Sequence, residues 1–173
     1  MQKFYLKPGE IYLTKEPTLI TTILGSCLCI TMLHRQSGSG AICHAVMPCI
    51  NDTRKKTIDK REPFQYVDSS IEWMIKQYEK NRIRYYDIEV KMFGGSEMFS
   101  SNKKNAWNHA VGKKNIETAI DVLKSLNLRL KSWNVGGDKG RKIIFNTLTG
   151  EVLVKYVNKV NVQVLPTSPR VKQ

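Results

Sequence analysis

Three short runs of β-forming residues crowded into the first 47 positions constrain the fold more than anything else in the chain. Leu19 to Leu24, Leu28 to His34 and Ala41 to Met47 are rich in Ile, Leu, Thr and Val, and turn formers separate them. The first break is Gly25-Ser26-Cys27. The second, Arg35-Gln36-Ser37-Gly38-Ser39-Gly40, is a strong hairpin signal. The chain therefore begins as a sheet.

Helices enter only later. After Pro48 the stretch from Asn51 to Pro63 is polar and highly charged, and reads as a surface loop. Val67, Ile71, Met74, Ile75 and Tyr78 then share one face of a 3.6-residue period, with Asp68 and Ser69 as candidate caps. Ile88, Val90 and Met92 alternate as a half-buried strand that Gly94-Gly95 stops. Ile116, Ala119, Ile120, Leu123 and Leu126 mark a second helix, with Asn115 as its expected cap. Leu128 to Trp133 and Arg141 to Phe145 are further strands. The latter joins Glu151 to Val157 through the turn Asn146-Thr147-Leu148-Thr149-Gly150. Strands linked by hairpins, with two helices inserted between them, predict an α+β fold whose helices pack on a mainly antiparallel or mixed sheet system.

A length of 173 residues predicts one domain, here residues 1–165 followed by a short polar tail, 166–173. No stretch approaches the ~20 apolar residues of a membrane span. The start of the chain, Met1 to Pro8, lacks the apolar core of a secretory signal, which predicts a cytoplasmic protein without membrane insertion. Cys27, Cys29, Cys43 and Cys49 are bunched together rather than spread as a disulfide scaffold would be, and read as free thiols. The net charge of +13 comes from scattered lysines and arginines with no nucleic-acid motif to organise them. An acidic protein partner accounts for it as well, and no nucleic-acid role is expected.

Chemistry gathers at the first turn. A cysteine straight after Gly25-Ser26 can present its sulfur at the mouth of a sheet, beside free backbone N–H groups of the turn. Such groups lower a thiol's pKa and can hold an oxyanion. His44 lies in the otherwise apolar Ala41 to Met47, where an imidazole needs a hydrogen-bond partner. His34 and His109 read as exposed. In an antiparallel hairpin turning near Ser37-Gly38, Cys27 and His44 fall on one face and Cys43 on the other, which argues against a zinc site shared by Cys43 and His44. That register leaves Cys27 about four residues from His44, roughly 13 Å at ~3.3 Å per residue. Thr21 and Thr22 are both candidates to orient the imidazole, as triad chemistry requires. The pairs Gly94-Gly95 and Gly136-Gly137 either line the site or merely end strands.

Thr21-Thr22-Ile23-Leu24-Gly25-Ser26-Cys27, followed by Gly40 to Pro48, resembles the amino-terminal signature of the CheD family, chemoreceptor glutamine deamidases of bacterial chemotaxis. Lys91 to Phe99 resembles the family's Phe-Gly-Gly segment, Val111 to Ile116 its Gly-x-x-Asn segment, and Val135 to Phe145 its Gly-Gly-x-x-Gly-Arg segment. The resemblance implies a Cys–His–Thr triad on Cys27, His44 and Thr21, with Gly25 and Ser26 at the oxyanion turn. It implies no metal and no organic cofactor, and a fold similar to the catalytic domain of cytotoxic necrotizing factor toxins. Chemoreceptor cytoplasmic domains are the implied substrate and the CheC phosphatase an implied partner. Phe93, Gly94, Gly95, Gly136 and Gly137 are expected on loops facing substrate or partner. Asn134 stands where the family pattern suggests an aspartate. The rival functions are a non-catalytic chemotaxis adaptor that regulates CheC, and a thiol redox module, which the lack of a Cys-x-x-Cys disfavours.

Overall fold

A computed structural model describes residues 1–49, 63–97 and 106–157, with residues 63 and 106–110 described by backbone alone. Most of the charged stretch from Asn51 to Pro63, the His109 side chain and the tail from Pro166 lie outside it. In chain order the elements are β1 (Gln2–Tyr5), β2 (Ile11–Thr14), β3 (Thr18–Leu24), β4 (Leu28–His34), β5 (Ser39–Ala45), α1 (Val67–Lys80), β6 (Glu89–Gly94), α2 (Ala106–Ser125), β7 (Leu130–Val135), β8 (Gly140–Asn146) and β9 (Val152–Val157). They form two sheets, ordered β1-β3-β8-β9 and β2-β5-β4-β6-β7. The β1–β3 and β6–β7 pairs are parallel and the rest antiparallel. The α+β expectation with mixed sheets holds.

Strand alternation divides the core in two. Leu28, Ile30 and Met32 of β4, with Ala41, Cys43 and Ala45 of β5, pack beneath the helices on Ile71, Met74, Ile75, Tyr78, Ala119 and Leu123. Cys29 and Leu33 of β4, Ile42 of β5 and Phe93 of β6 point the other way and meet Ile20, Leu24, Ile143 and Phe145 of the first sheet. The five-stranded sheet is thus covered on both faces, and all seven residues of β4 and of β5 are buried. A central strand that is apolar on both faces is what such covering demands.

The helix faces match the sequence pattern, but their starts do not. Tyr66 is the N-cap of α1 and makes no side-chain cap bond, while Asp68 sits within the first turn. Helix α2 begins at Ala106, so Asn115 is an interior residue and not a cap. Gly112 is tolerated mid-helix because the backbone there lies against Gly95: a Cβ on Gly112 would come within 2.7 Å of the Gly95 carbonyl oxygen. His34, expected at the surface, is buried, with Nδ1 2.8 Å from the Ser37 hydroxyl.

Candidate active site

The β4–β5 hairpin sets the geometry. Its ladder runs from His34–Ser39, which closes the turn, through Cys29–His44 to Leu28–Ala45. The turn is therefore centred one residue earlier than Ser37-Gly38, and each step of the turn moves the register by two. Continued one step past Leu28–Ala45, the ladder would set Cys27 against Val46, so His44 becomes its diagonal neighbour on the same face. Diagonal neighbours lie about 7–8 Å apart, within reach of an imidazole. The expected 13 Å gap is roughly halved without a bulge. Cys29, directly opposite His44, is fully buried in the inter-sheet core, whereas Cys27 lies half-buried at its end. Cys43 faces the helices.

The threonine that holds His44 is Thr22, not Thr21. Thr22 shares the inner face of β3 with Ile20 and Leu24, and its Oγ1 lies 2.7 Å from His44 Nδ1. Thr21 falls on the outer face with Leu19 and Ile23, pointing away from the imidazole. Thr22 Oγ1 also donates to the Leu6 carbonyl at 2.9 Å. A hydroxyl carries one proton. With that proton committed to Leu6, Oγ1 can only accept from His44, which puts the imidazole proton on Nδ1 and the lone pair on Nε2. Nε2 is buried and has no hydrogen-bond partner among the described residues. The His44 backbone is pinned as well, its carbonyl accepting from Gly9 N–H and its N–H donating to the Glu10 carbonyl.

Protonation follows from burial. Desolvation pushes the His44 pKa down to about 4, so the imidazole is neutral at pH 7. Desolvation also raises the Cys27 thiol above its ordinary value, and the residue's own backbone N–H offsets only part of this. The turn was expected to lower that pKa; loss of water around the sulfur outweighs the amide. Both groups are therefore neutral at pH 7, a thiol and an imidazole.

The turn carrying Cys27 is held by its carbonyls. Gly25 O accepts from Ser96 N–H and the Ser96 hydroxyl, Ser26 O from Asn115 Nδ2, and Cys27 O from Gly95 N–H. The N–H of Ser26 meets no acceptor among the described residues, and that of Cys27 none beyond its own sulfur. Phe93, Gly94 and Gly95, expected on exposed loops, lie instead at the end of β6 and just beyond it. All three are buried, Phe93 in the inter-sheet core, and a Cβ on Gly94 would come within 2.3 Å of the Cys27 carbonyl oxygen. They form the floor under Cys27. Asn115 and Ser96, which sequence reasoning did not single out for the site, belong to that floor too; the signals for them were their places in the Gly-x-x-Asn and Phe-Gly-Gly segments and, for Asn115, a polar side chain set in an apolar helix face.

Gly136 and Gly137 differ, since a Cβ on either would meet nothing within 4 Å. They border a groove of about 520 Å³ lined by Trp133, Asn134, Asp138, Lys139, Arg141 and Tyr156 among others. It adjoins the Cys27 turn: Val135 pairs with Gly94, Arg141 pairs with Leu24, and Glu97 N–H donates to Gly137 O. Arg141 donates to Asn134 Oδ1 at 2.5 Å and to the Gly136 carbonyl at 2.6 Å, while Asn134 Nδ2 donates to the Tyr156 hydroxyl. An asparagine can do both, whereas an ionised aspartate could only accept. A second groove, of about 460 Å³, lies at the far end of β4 around His34, Arg35 and Glu89 and takes no part in this site.

A family model described as CheD chemotactic sensory transduction matches residues 49–156. A protein of Geobacter sulfurreducens named probable chemoreceptor glutamine deamidase CheD 2 is 41% identical over 155 residues, covering 90% of each chain. The chain belongs to the CheD family. Probable chemoreceptor glutamine deamidases CheD of Maridesulfovibrio salexigens and Methanococcus maripaludis are 33% and 34% identical, over 92% and 87% of this chain and 94% and 92% of theirs. The CheD family model begins after both Cys27 and His44. The pairwise match at 90% coverage is too long to exclude them. No helix among the described residues is long and apolar enough to cross a membrane.

Proposed function

We propose that this CheD protein hydrolyses glutamine side chains of chemoreceptor cytoplasmic domains to glutamate and ammonia, in the cytoplasm, with Cys27 as nucleophile and His44 as base. One observation carries the reading: the chain from the Leu6 carbonyl through Thr22 Oγ1 to His44 Nδ1, which leaves the imidazole lone pair on Nε2 at the face shared with Cys27. That is the tautomer a general base needs.

His44 Nε2 takes the thiol proton as Cys27 Sγ attacks the carboxamide carbon, and the carbonyl oxygen becomes an oxyanion facing the N–H groups of Ser26 and Cys27. Collapse of that intermediate breaks the C–N bond, and the imidazolium returns its proton to the leaving ammonia. Water then attacks the thioester, with His44 accepting its proton and giving it to the departing thiol. Glutamate is released and both groups return to their neutral states. The groove beside Gly136 and Gly137 would hold the polypeptide around the reacting glutamine. CheC is the proposed partner, and the likeness to the cytotoxic necrotizing factor catalytic domain is open to superposition of the two folds.

The test is ammonia release from a purified receptor cytoplasmic fragment, with peptide mass spectrometry for a gain of about one mass unit at a glutamine. Cys27→Ala and His44→Ala should abolish both signals. Undiminished release by Cys27→Ala would overturn the assignment, as would an intact chemotaxis response, the outcome expected of a binding-only adaptor.

A further inference from the structure

We propose that Asn115 is a positioning residue that sets the spacing between Cys27 and His44 by tying the backbone beside one to the backbone beside the other. Its role in catalysis rests on the deamidase reading; its effect on the pair does not. Asn115 is fully buried in the interior of α2. Its Nδ2 donates to Ser26 O at 2.9 Å and to Val46 O at 3.1 Å. Ser26 immediately precedes Cys27, and Val46 lies two residues beyond His44.

These bonds sit where the sheet stops helping. The last β4–β5 pair is Leu28–Ala45, so nothing in the ladder holds Cys27 to the strand that carries His44. The two protons of one amide nitrogen point in fixed directions, so both carbonyls keep their bonds only at one separation. One turn earlier, Gly112 seats the same helix on Gly95, whose N–H holds the Cys27 carbonyl. Helix α2 thus grips the nucleophile turn and the end of β5 together.

Two further facts favour a positioning role over simple packing. Both partners are acceptors, so the amide cannot flip, and its Oδ1 is left buried without a donor among the described residues. Keeping an unpaired oxygen in the interior is unfavourable, a pattern more at home in a functional site than in a core. Moreover, a neutral thiol and a neutral imidazole have no charge attraction to draw them together, so the scaffold must supply their distance.

The experiment follows Cys27 alkylation by iodoacetamide, read by peptide mass spectrometry, alongside ammonia release. Asn115→Ala and Asn115→Ser should lower kcat at least tenfold with KM within about twofold. At pH 7 both should slow Cys27 alkylation to the rate of His44→Ala. Adding Asn115→Ser to His44→Ala should slow alkylation no further, because the substitution acts through the pair; the cycle is read on folded protein even if Asn115→Ala fails to fold. Additive slowing, or kcat within twofold of the wild type in Asn115→Ser, would overturn the proposal. Should Cys27→Ala still release ammonia, the deamidase reading falls, while the alkylation cycle still decides for or against Asn115.

Discussion

Replacing Thr22 with valine probes the site most directly, because it keeps the shape and removes one hydroxyl. That hydroxyl is fully buried and bonds both the Leu6 carbonyl and His44 Nδ1. Without it the Leu6 carbonyl loses its side-chain donor, and a buried unsatisfied group costs about 1–3 kcal/mol, so folding stability should fall by that amount. The imidazole escapes a similar cost only by moving its proton to Nε2, the wrong tautomer for a base. In the transition state the ring carries positive charge, and a hydrogen bond to a charged group is stronger than a neutral one by about 1–2 kcal/mol. At about 1.4 kcal/mol per factor of ten, kcat should fall about 5- to 30-fold even with the protein fully folded. Ammonia release at saturating receptor fragment measures kcat, and urea unfolding measures stability. Thr22→Ser restores the hydroxyl and should recover most of the activity. Thr21→Val, on the outer face, should stay within about twofold. If Thr21→Val lost as much as Thr22→Val, or Thr22→Val lost nothing, the orienting role of Thr22 would be refuted.

Two other predictions concern stability. The His44 pKa is about 4 in the folded protein against 6.5 for an unperturbed histidine. Between those values the unfolded chain binds more protons, so stability is full above pH 6.5 and drains away as pH falls to about 4, by about 3 kcal/mol. Urea unfolding at pH 7 and pH 4.5 should show a smaller drop in His44→Gln than in the wild type; equal drops would rule out burial of a neutral imidazole. Gly94→Ala would drive a Cβ to 2.3 Å from the Cys27 carbonyl at a φ of 105° and should cost about 2–4 kcal/mol. Gly136→Ala meets open space and should lose only about 1–2 kcal/mol to its left-handed φ of 73°. Equal losses in urea titrations would mean that close approach is not what Gly94 provides.

Local pattern carried the elements whose burial is dictated by their own period. The run Leu28 to His34 and the α1 face of Val67, Ile71, Met74, Ile75 and Tyr78 reappear as written, and Arg141 to Phe145 reappears with one residue added at each end. Strands β1 and β2 were not legible. Each has four residues, and each exists through a partner distant in sequence, β1 along β3 and β2 along β5. The true start of α2 was hidden for a related reason, since Gly112 reads as a helix breaker until Gly95 is seen against it. Tertiary contact decided each of these.

The site separates parity from distance. Parity put Cys27 and His44 on one face because it depends only on odd and even numbers. Distance depended on where the hairpin turns, and shifting that centre from Ser37-Gly38 to Gln36-Ser37 removed half the gap. Choosing between Thr21 and Thr22 failed for want of contrast: Leu19 and Ile23 are as apolar as Ile20 and Leu24, so composition could not say which face of β3 is inside. The protonation state lay further out of reach, because the Gly-Ser turn suggests a thiolate while the sandwich around it withholds water. A buried neutral pair has no ion-pair attraction to find its own geometry. The arrangement therefore depends on contacts that orient rather than charge: Leu6 and Thr22 fix which nitrogen is basic, and Asn115 ties the turn to the strand.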